Sequence, residues 1–305
     1  MATKLPKREK NEAPTVLKYI PHGVNSKIFR KLTTPEELEK VEEFKTKFFG
    51  DKLVDFVVFY NNRNIRRKMT SDVILAFYEF TKKLPKEARE RTRLLMHTQP
   101  VDENGTHLPQ VVEDVVPDIK HLIVFSTDRV EAVLLNCIYN LTDVVINMAS
   151  NEGFGIATLE GMMAERMIVA NVTGGLQDQM GFVDDEGNPV SENIHFNENW
   201  DTNALGTYRK CGSWCKPAFP NNRALIGSCP TPYIFDDRCD WNNVANLLKE
   251  IYDMTPEERQ KAGEEGRKFA IENFDSKVMN NKFIQAFDYL FENWKPRPKF
   301  GIYKP

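Results

Sequence analysis

Short apolar, β-branched runs alternate with longer stretches of helical spacing through the middle of the chain. Phe56 to Tyr60 (FVVFY), Arg93 to Thr98, His121 to Phe125, Asp143 to Met148 (DVVINM) and Met167 to Asn171 predict strands. Between them, Ser71 to Lys83, Asp128 to Tyr139 and Gly155 to Glu165 predict helices, with a turn or short helix at Leu108 to Val115. Strands covered on both faces read as continuous apolar runs, as these do. The pattern therefore predicts an α/β class fold, a doubly wound parallel sheet of Rossmann-like type. Ligands of such sheets lie at the C-terminal ends of the strands. Trp241 to Met254, Pro256 to Asn273 and Ser276 to Trp294 predict three further helices.

The regular alternation stops after Asp178. From there to Pro232 the chain is rich in Asn, Asp, Gly, Pro and aromatics, and the next strand is expected at Tyr233 to Asp236. Phe196, Trp200, Tyr208, Trp214 and Phe219 predict an ordered insertion, at about 179–232, near the mouth of a site. Met1 to Ala13 is Lys/Glu-rich without periodicity, which predicts a flexible arm over residues 1–16 before an α/β domain at 17–295 and a Pro-rich tail at 296–305.

A chain of 305 residues with 41% hydrophobic content and 20 Phe can fill a substantial core. Its net charge of −3 gives no reason to expect a nucleic-acid partner. With neither a long apolar run nor a signal-peptide pattern, a cytoplasmic protein without a membrane span is expected. Four of five cysteines (Cys211, Cys215, Cys229, Cys239) fall in or beside the insertion. Only one short spacing is present, so free thiols are the simpler expectation and structural zinc the alternative. Cys137, on an apolar helix, is expected in the core.

The segment from Ser150 to Gly175 (SNEGFGIATLEGMMAERMIVANVTGG) carries the candidate chemistry. Gly153 and Gly155 stand where a strand hands over to a helix. Unpaired N–H groups at a helix start, with the positive end of its dipole, suit a diphosphate, and glycine permits close approach. Glu152 and Glu160 are separated along the backbone by roughly 12 Å at the helical rise. They are placed to touch different parts of one ligand, and fit poorly the closer pair a glycosidase needs. Arg63, Arg66, Arg67 and Lys68 form a dense basic cluster after a predicted strand, suited to gripping phosphate.

Four motifs in this order resemble the retaining glycosyltransferases of the GT-B fold that carry an E-x7-E signature, the group 1 family related to glycogen synthases. Glu152 and Glu160 match that signature. Tyr19 to Phe29 (YIPHGVNSKIF) resembles the opening of the family's C-terminal, donor-binding domain, with His22 in place of the family's Asn, either a satisfied structural histidine or one that lines the cleft. Asn62 to Ala76 resembles its "GR…KG" stretch, with Arg63 on the arginine and Lys68 on the lysine. Gly174, Gly175 and Asp178 match its "GG..D/E" loop. The resemblance spans roughly residues 17–295. It implies transfer of a sugar from a nucleoside diphosphate donor, such as UDP-, ADP- or GDP-hexose, with retention and without a metal. Arg63, Lys68 and Glu152 would then be catalytic, with Gly153, Phe154, Gly155, Glu160, Gly174 and Gly175 binding the donor. In the GGLQD loop the likeness is to glucose-donor enzymes.

Departures accompany the match. Asn62 and Met69 stand where the family has glycine, and Ala164 to Met167 replaces its "A.G.P". Only about 18 residues precede the donor-domain opening, so an acceptor-domain subunit or a second copy is expected to complete the cleft. Docking is expected on the Phe283, Phe287, Leu290 and Phe291 face of the last helix, with packing on its own domain as the alternative. A dinucleotide oxidoreductase is disfavoured because Gly153 to Thr158 lacks the third glycine of G-x-G-x-x-G. A non-catalytic sugar-nucleotide-binding subunit, or the split-gene half of a GT-B enzyme, is the second reading, and the acceptor is open.

Overall fold

The computed structural model describes residues 18–190 and 202–294. The expected arm (1–16), the tail (296–305), Phe196 and Trp200 lie outside the described residues.

Six strands form one parallel sheet: β1 (Phe56–Asn61), β2 (Thr92–His97), β3 (Ile123–Ser126), β4 (Val144–Asn147), β5 (Met167–Asn171) and β6 (Cys215–Ala218). Their order is β3-β2-β1-β4-β5-β6, so the winding reverses between β1 and β4. The crevice at such a reversal is where open α/β sheets bind ligands. Side chains alternate across the sheet as its pleat requires. Phe56, Val58 and Tyr60 enter one core with α2 (Thr70–Lys82), α4 (Leu108–Val115) and α7 (Trp241–Asp253). Val57 and Phe59 enter the other with α5 (Ala132–Asn140), α6 (Ile156–Met163) and the end of α8 (Pro256–Phe274).

The boundaries expected for these elements hold within a few residues, apart from the long lead assigned to α5. One short helix, α3 (Lys86–Glu90), and two long ones, α1 (Pro35–Phe49) and α9 (Ser276–Asn293), complete the framework. α1 was not anticipated, although its signal is local. Thr34 and Glu37 form a reciprocal capping box and Pro35 takes the first turn. It packs over α5, where Cys137 is buried with Leu32 and Val41.

The region after Gly174 corrects the sequence reading. The sixth sheet strand is Cys215–Ala218, not Tyr233 to Asp236. The latter lies in β8 (Thr231–Arg238), which pairs antiparallel with β7 (Asn222–Ser228) as a separate hairpin. A four-residue strand containing Pro217 has no alternation to read; its pairing with β5 defines it. Of the aromatics expected at a site mouth, Tyr208, Trp214 and Phe219 pack against the core. Trp214 is buried with its ring 4.8 Å from Phe269. Cys211 and Cys215 stay together, Cys215 and Cys239 enter opposite cores, and Cys229 is exposed.

α9 buries none of its residues; Phe283, Phe287, Leu290 and Phe291 are exposed. Among the described residues, no helix is long and apolar enough to cross a membrane.

Candidate active site

β1 delivers the basic cluster to the crevice. After Asn61 the chain makes a 3-10 turn at Arg66–Lys68, then passes through Met69 at φ 50° into α2. Glycine would take this left-handed conformation without strain, whereas methionine takes it at a cost of about 1 kcal/mol or more. The turn buries Lys68, whose Nζ meets Asn62 Oδ1 at 2.6 Å and forms a close ion pair with Glu152 Oε2. Removal from water pulls the Lys68 pKa down, and the Glu152 carboxylate partly restores it.

Two arginines of the cluster part company here. Arg67 Nη1 lies 3.2 Å from Glu152 Oε2 and donates to Asn151 O at 3.0 Å. Arg63 is exposed and pairs with Asp102, Nε to Oδ2 at 2.9 Å. The structure thus brings Lys68 and Glu152 together, adds Arg67 and places Arg63 at the rim. Arg67 was visible in the sequence only as one member of a charge run; its direction depends on the 3-10 turn.

The loop after β4 carries Glu152 to α6. Gly155, at φ 92°, is the N-cap, and α6 has no side-chain cap hydrogen bond. Its first N–H groups therefore keep the donor capacity that favours an anion. Gly153 is exposed, with nothing within 4 Å of where a Cβ would stand. Phe154 plays a different part through its side chain. Its ring is buried edge-on against His22 and Phe274, each at 5.5 Å, leaving its backbone as the part that belongs to the loop.

The Gly174–Gly175 pair presses on this loop. Gly175 N donates to Glu152 O at 3.2 Å, and a Cβ on Gly174 would fall 1.9 Å from that oxygen. Gln179, farther along the same 3-10 segment, donates to Phe154 O and Gly155 O at 2.7 and 3.0 Å. Asp178 accepts a 2.7 Å bond from the Tyr19 hydroxyl.

Glu160 occupies a separate place, a little over one turn along α6. Its Oε2 accepts from the buried Tyr139 hydroxyl at 2.7 Å, and Asn61 Nδ2 donates to that hydroxyl at 3.0 Å. Burial raises the Glu160 pKa to about 7, against a smaller lowering by Tyr139. Between its ordinary value near 4.5 and about 7 the folded state holds a proton that the unfolded state releases. That contribution to stability is complete below 4.5 and lost as pH rises through about 7. If Glu160 accepts ribose hydroxyls as a carboxylate, nucleoside affinity should rise across the same interval. Titration calorimetry at several pH values checks this, and Glu160→Gln should flatten the profile.

His97, at the end of β2, hydrogen-bonds Ser126 at 2.9 Å, and burial lowers its pKa. A cavity of about 490 Å³ opens elsewhere, beyond β6, lined by residues including Arg209, Cys211, Cys215 and Lys216. Among the described residues there is no cluster of three or more His, Cys, Asp or Glu suited to a metal.

No protein-family model matches the chain. Trehalose synthase of Thermococcus litoralis is 24% identical over 136 residues, which cover 43% of this chain and 32% of that protein. Sucrose-phosphate synthase of Thermosynechococcus elongatus superposes with a TM-score of 0.60 at 17% identity, over 90% of this chain and 52% of that one. Anabaena HepE, solved in complex with UDP-glucose, gives 0.55 at 14% identity over 88% and 56%. The chain thus spans about a third of the matched curated relative and about half of these solved structures. Its fold, a six-stranded parallel sheet with helices on both faces, is the Rossmann-like fold found in GT-B glycosyltransferases.

Proposed function

We propose that the β1/β4 crevice binds a nucleoside diphosphate sugar and that the chain acts in transfer of its hexose, with retention, to an acceptor hydroxyl. The observation that carries this reading is the buried Lys68–Glu152 pair, flanked by Arg67, beside the uncapped start of α6. As the bond from the anomeric carbon to phosphate weakens, positive charge grows on the sugar and negative charge on the departing diphosphate. Lys68, Arg67 and the Gly153 to Gly155 amides would meet the latter and stabilise it more in the transition state than in the ground state. Glu152 would hold sugar hydroxyls and Glu160 the ribose. The acceptor oxygen forms the new bond to the anomeric carbon, and its proton leaves with the phosphate. HepE's complex with UDP-glucose supports the donor class.

Titration with UDP, GDP and ADP and with their glucose conjugates tests the proposal. One nucleotide series should bind, the intact donor included; absence of binding by all six would overturn it. Arg67→Ala should weaken diphosphate binding about tenfold, the low end for a charge-assisted hydrogen bond. Arg63→Ala, exposed and held by Asp102, should change it by less than about threefold. Equal losses would show that Arg63 also reaches the phosphates. A second reading is binding without catalysis. Product formation by the purified chain separates the two.

A further inference from the structure

The β7–β8 hairpin projects with most of both strands exposed, but its base is fastened into the candidate site. The fastening residue is Asp237, which is buried. Its polar atoms reach three segments: the loop before Glu152, the end of β5 and, through an ion pair, β7. Its N–H donates to Ser150 O at 2.8 Å, and its carbonyl accepts from Asn171 Nδ2 at 2.7 Å. Carboxylate Oδ2 accepts from the Thr173 hydroxyl at 2.9 Å, and Oδ1 lies 3.0 Å from Arg223 Nε on β7.

These partners converge on the site. Ser150 stands two residues before Glu152, and its own N–H donates to Arg67 O at 2.8 Å. Thr173 immediately precedes Gly174, the residue pressed against Glu152 O. The basic turn, the Glu152 loop and the Gly-Gly loop therefore share one anchor. Because the Gly174 contact has no slack, a small movement of Thr173 changes the gap between the two loops.

We infer that Asp237 is a positioning residue which, through Thr173 and Ser150, sets the spacing of the loops that hold the sugar and diphosphate. This rests on the donor-site reading above and names a determinant that lies outside its four motifs. Asp237 touches no reacting atom. It acts on the sugar-diphosphate side of the site, while Glu160 and Tyr139 on α6 and α5 hold the nucleoside side.

The test measures binding of whichever of UDP-, ADP- and GDP-glucose the wild-type protein takes up most tightly, alongside the matching nucleoside. Thr173→Val removes only the hydroxyl and keeps the shape, Thr173→Ser retains the hydroxyl, and Asp237→Asn removes the charge at constant size. Thr173→Val and Asp237→Asn are expected to weaken the intact donor about tenfold each with the nucleoside unchanged. The double variant should be no worse than either single one, and Thr173→Ser should bind like wild type. Unchanged donor affinity, additive losses, or parallel loss of donor and nucleoside would overturn the inference. The last of these would show a purely structural role. A wild-type protein that binds none of the three sugar nucleotides would instead overturn the donor-site reading itself, and this inference with it.

Discussion

Lys68→Ala is expected to remove most donor affinity and to lower folding stability by about 3 kcal/mol, near the lower end for breaking a buried ion pair. Both effects have one source. Lys68 and Glu152 are almost wholly withdrawn from solvent, so losing the ammonium leaves a buried carboxylate facing a single, partly exposed guanidinium. Arg67 keeps the loss from being larger. The same ammonium would be the least hydrated cation available to the diphosphate, and its removal should weaken donor binding by about 1.5 to 3 kcal/mol. Urea unfolding and donor titration give the two numbers. Adding Glu152→Gln to Lys68→Ala should recover part of the stability, because the stranded charge is gone, without restoring donor binding. Full recovery of binding would mean that Lys68 acts only by neutralising Glu152.

Gly174→Ala should be nearly as damaging although it adds one methyl group. At φ 47° the residue is in the left-handed region, and the new Cβ would stand 1.9 Å from the carbonyl oxygen of Glu152. Neither partner can rotate away, because both contacting atoms belong to, or are fixed by, the backbone. Overpacking of this kind costs about 1 to 3 kcal/mol, with a further 1 or so for the left-handed conformation. The loop must then shift, and donor affinity should fall by more than about tenfold. Gly153→Ala is the control. Its Cβ would enter open space, so its stability should stay within about 0.5 kcal/mol of wild type, and any loss of donor affinity would report a ligand passing close to that position. Equal stability losses in the two variants would refute the close-contact account.

Much of this site was legible in the linear order of residues because it is built from local geometry. The apolar runs defined β1, β2, β4 and β5 through period and length alone, and the ends of those strands located the loops. Glycine at 155 and 174 marked positions where the backbone takes positive φ, which a side chain would strain. That Glu152 and Glu160 stand apart, one beside Lys68 and the other beside Tyr139, was expected from helical rise alone. Even α1 is announced by its own capping box.

What the sequence by itself determined, then, is the set of elements and the chemical inventory at their ends. Only the tertiary structure decided which members of that inventory meet. Arg63 and Arg67 are equivalent as members of a charge run, and a 3-10 turn sends one to Asp102 and the other to Glu152. Cys215–Ala218 became a sheet strand by pairing with β5, while the better strand pattern at β8 went to the hairpin. Asp237 lies 85 residues from Glu152 in sequence and yet ties its loop to the Gly-Gly loop. Propensity and hydrophobic period act over a few residues, whereas a buried polar group takes whichever partner the packing brings within hydrogen-bond reach. That choice is made by the assembled sheet and not by any segment of it.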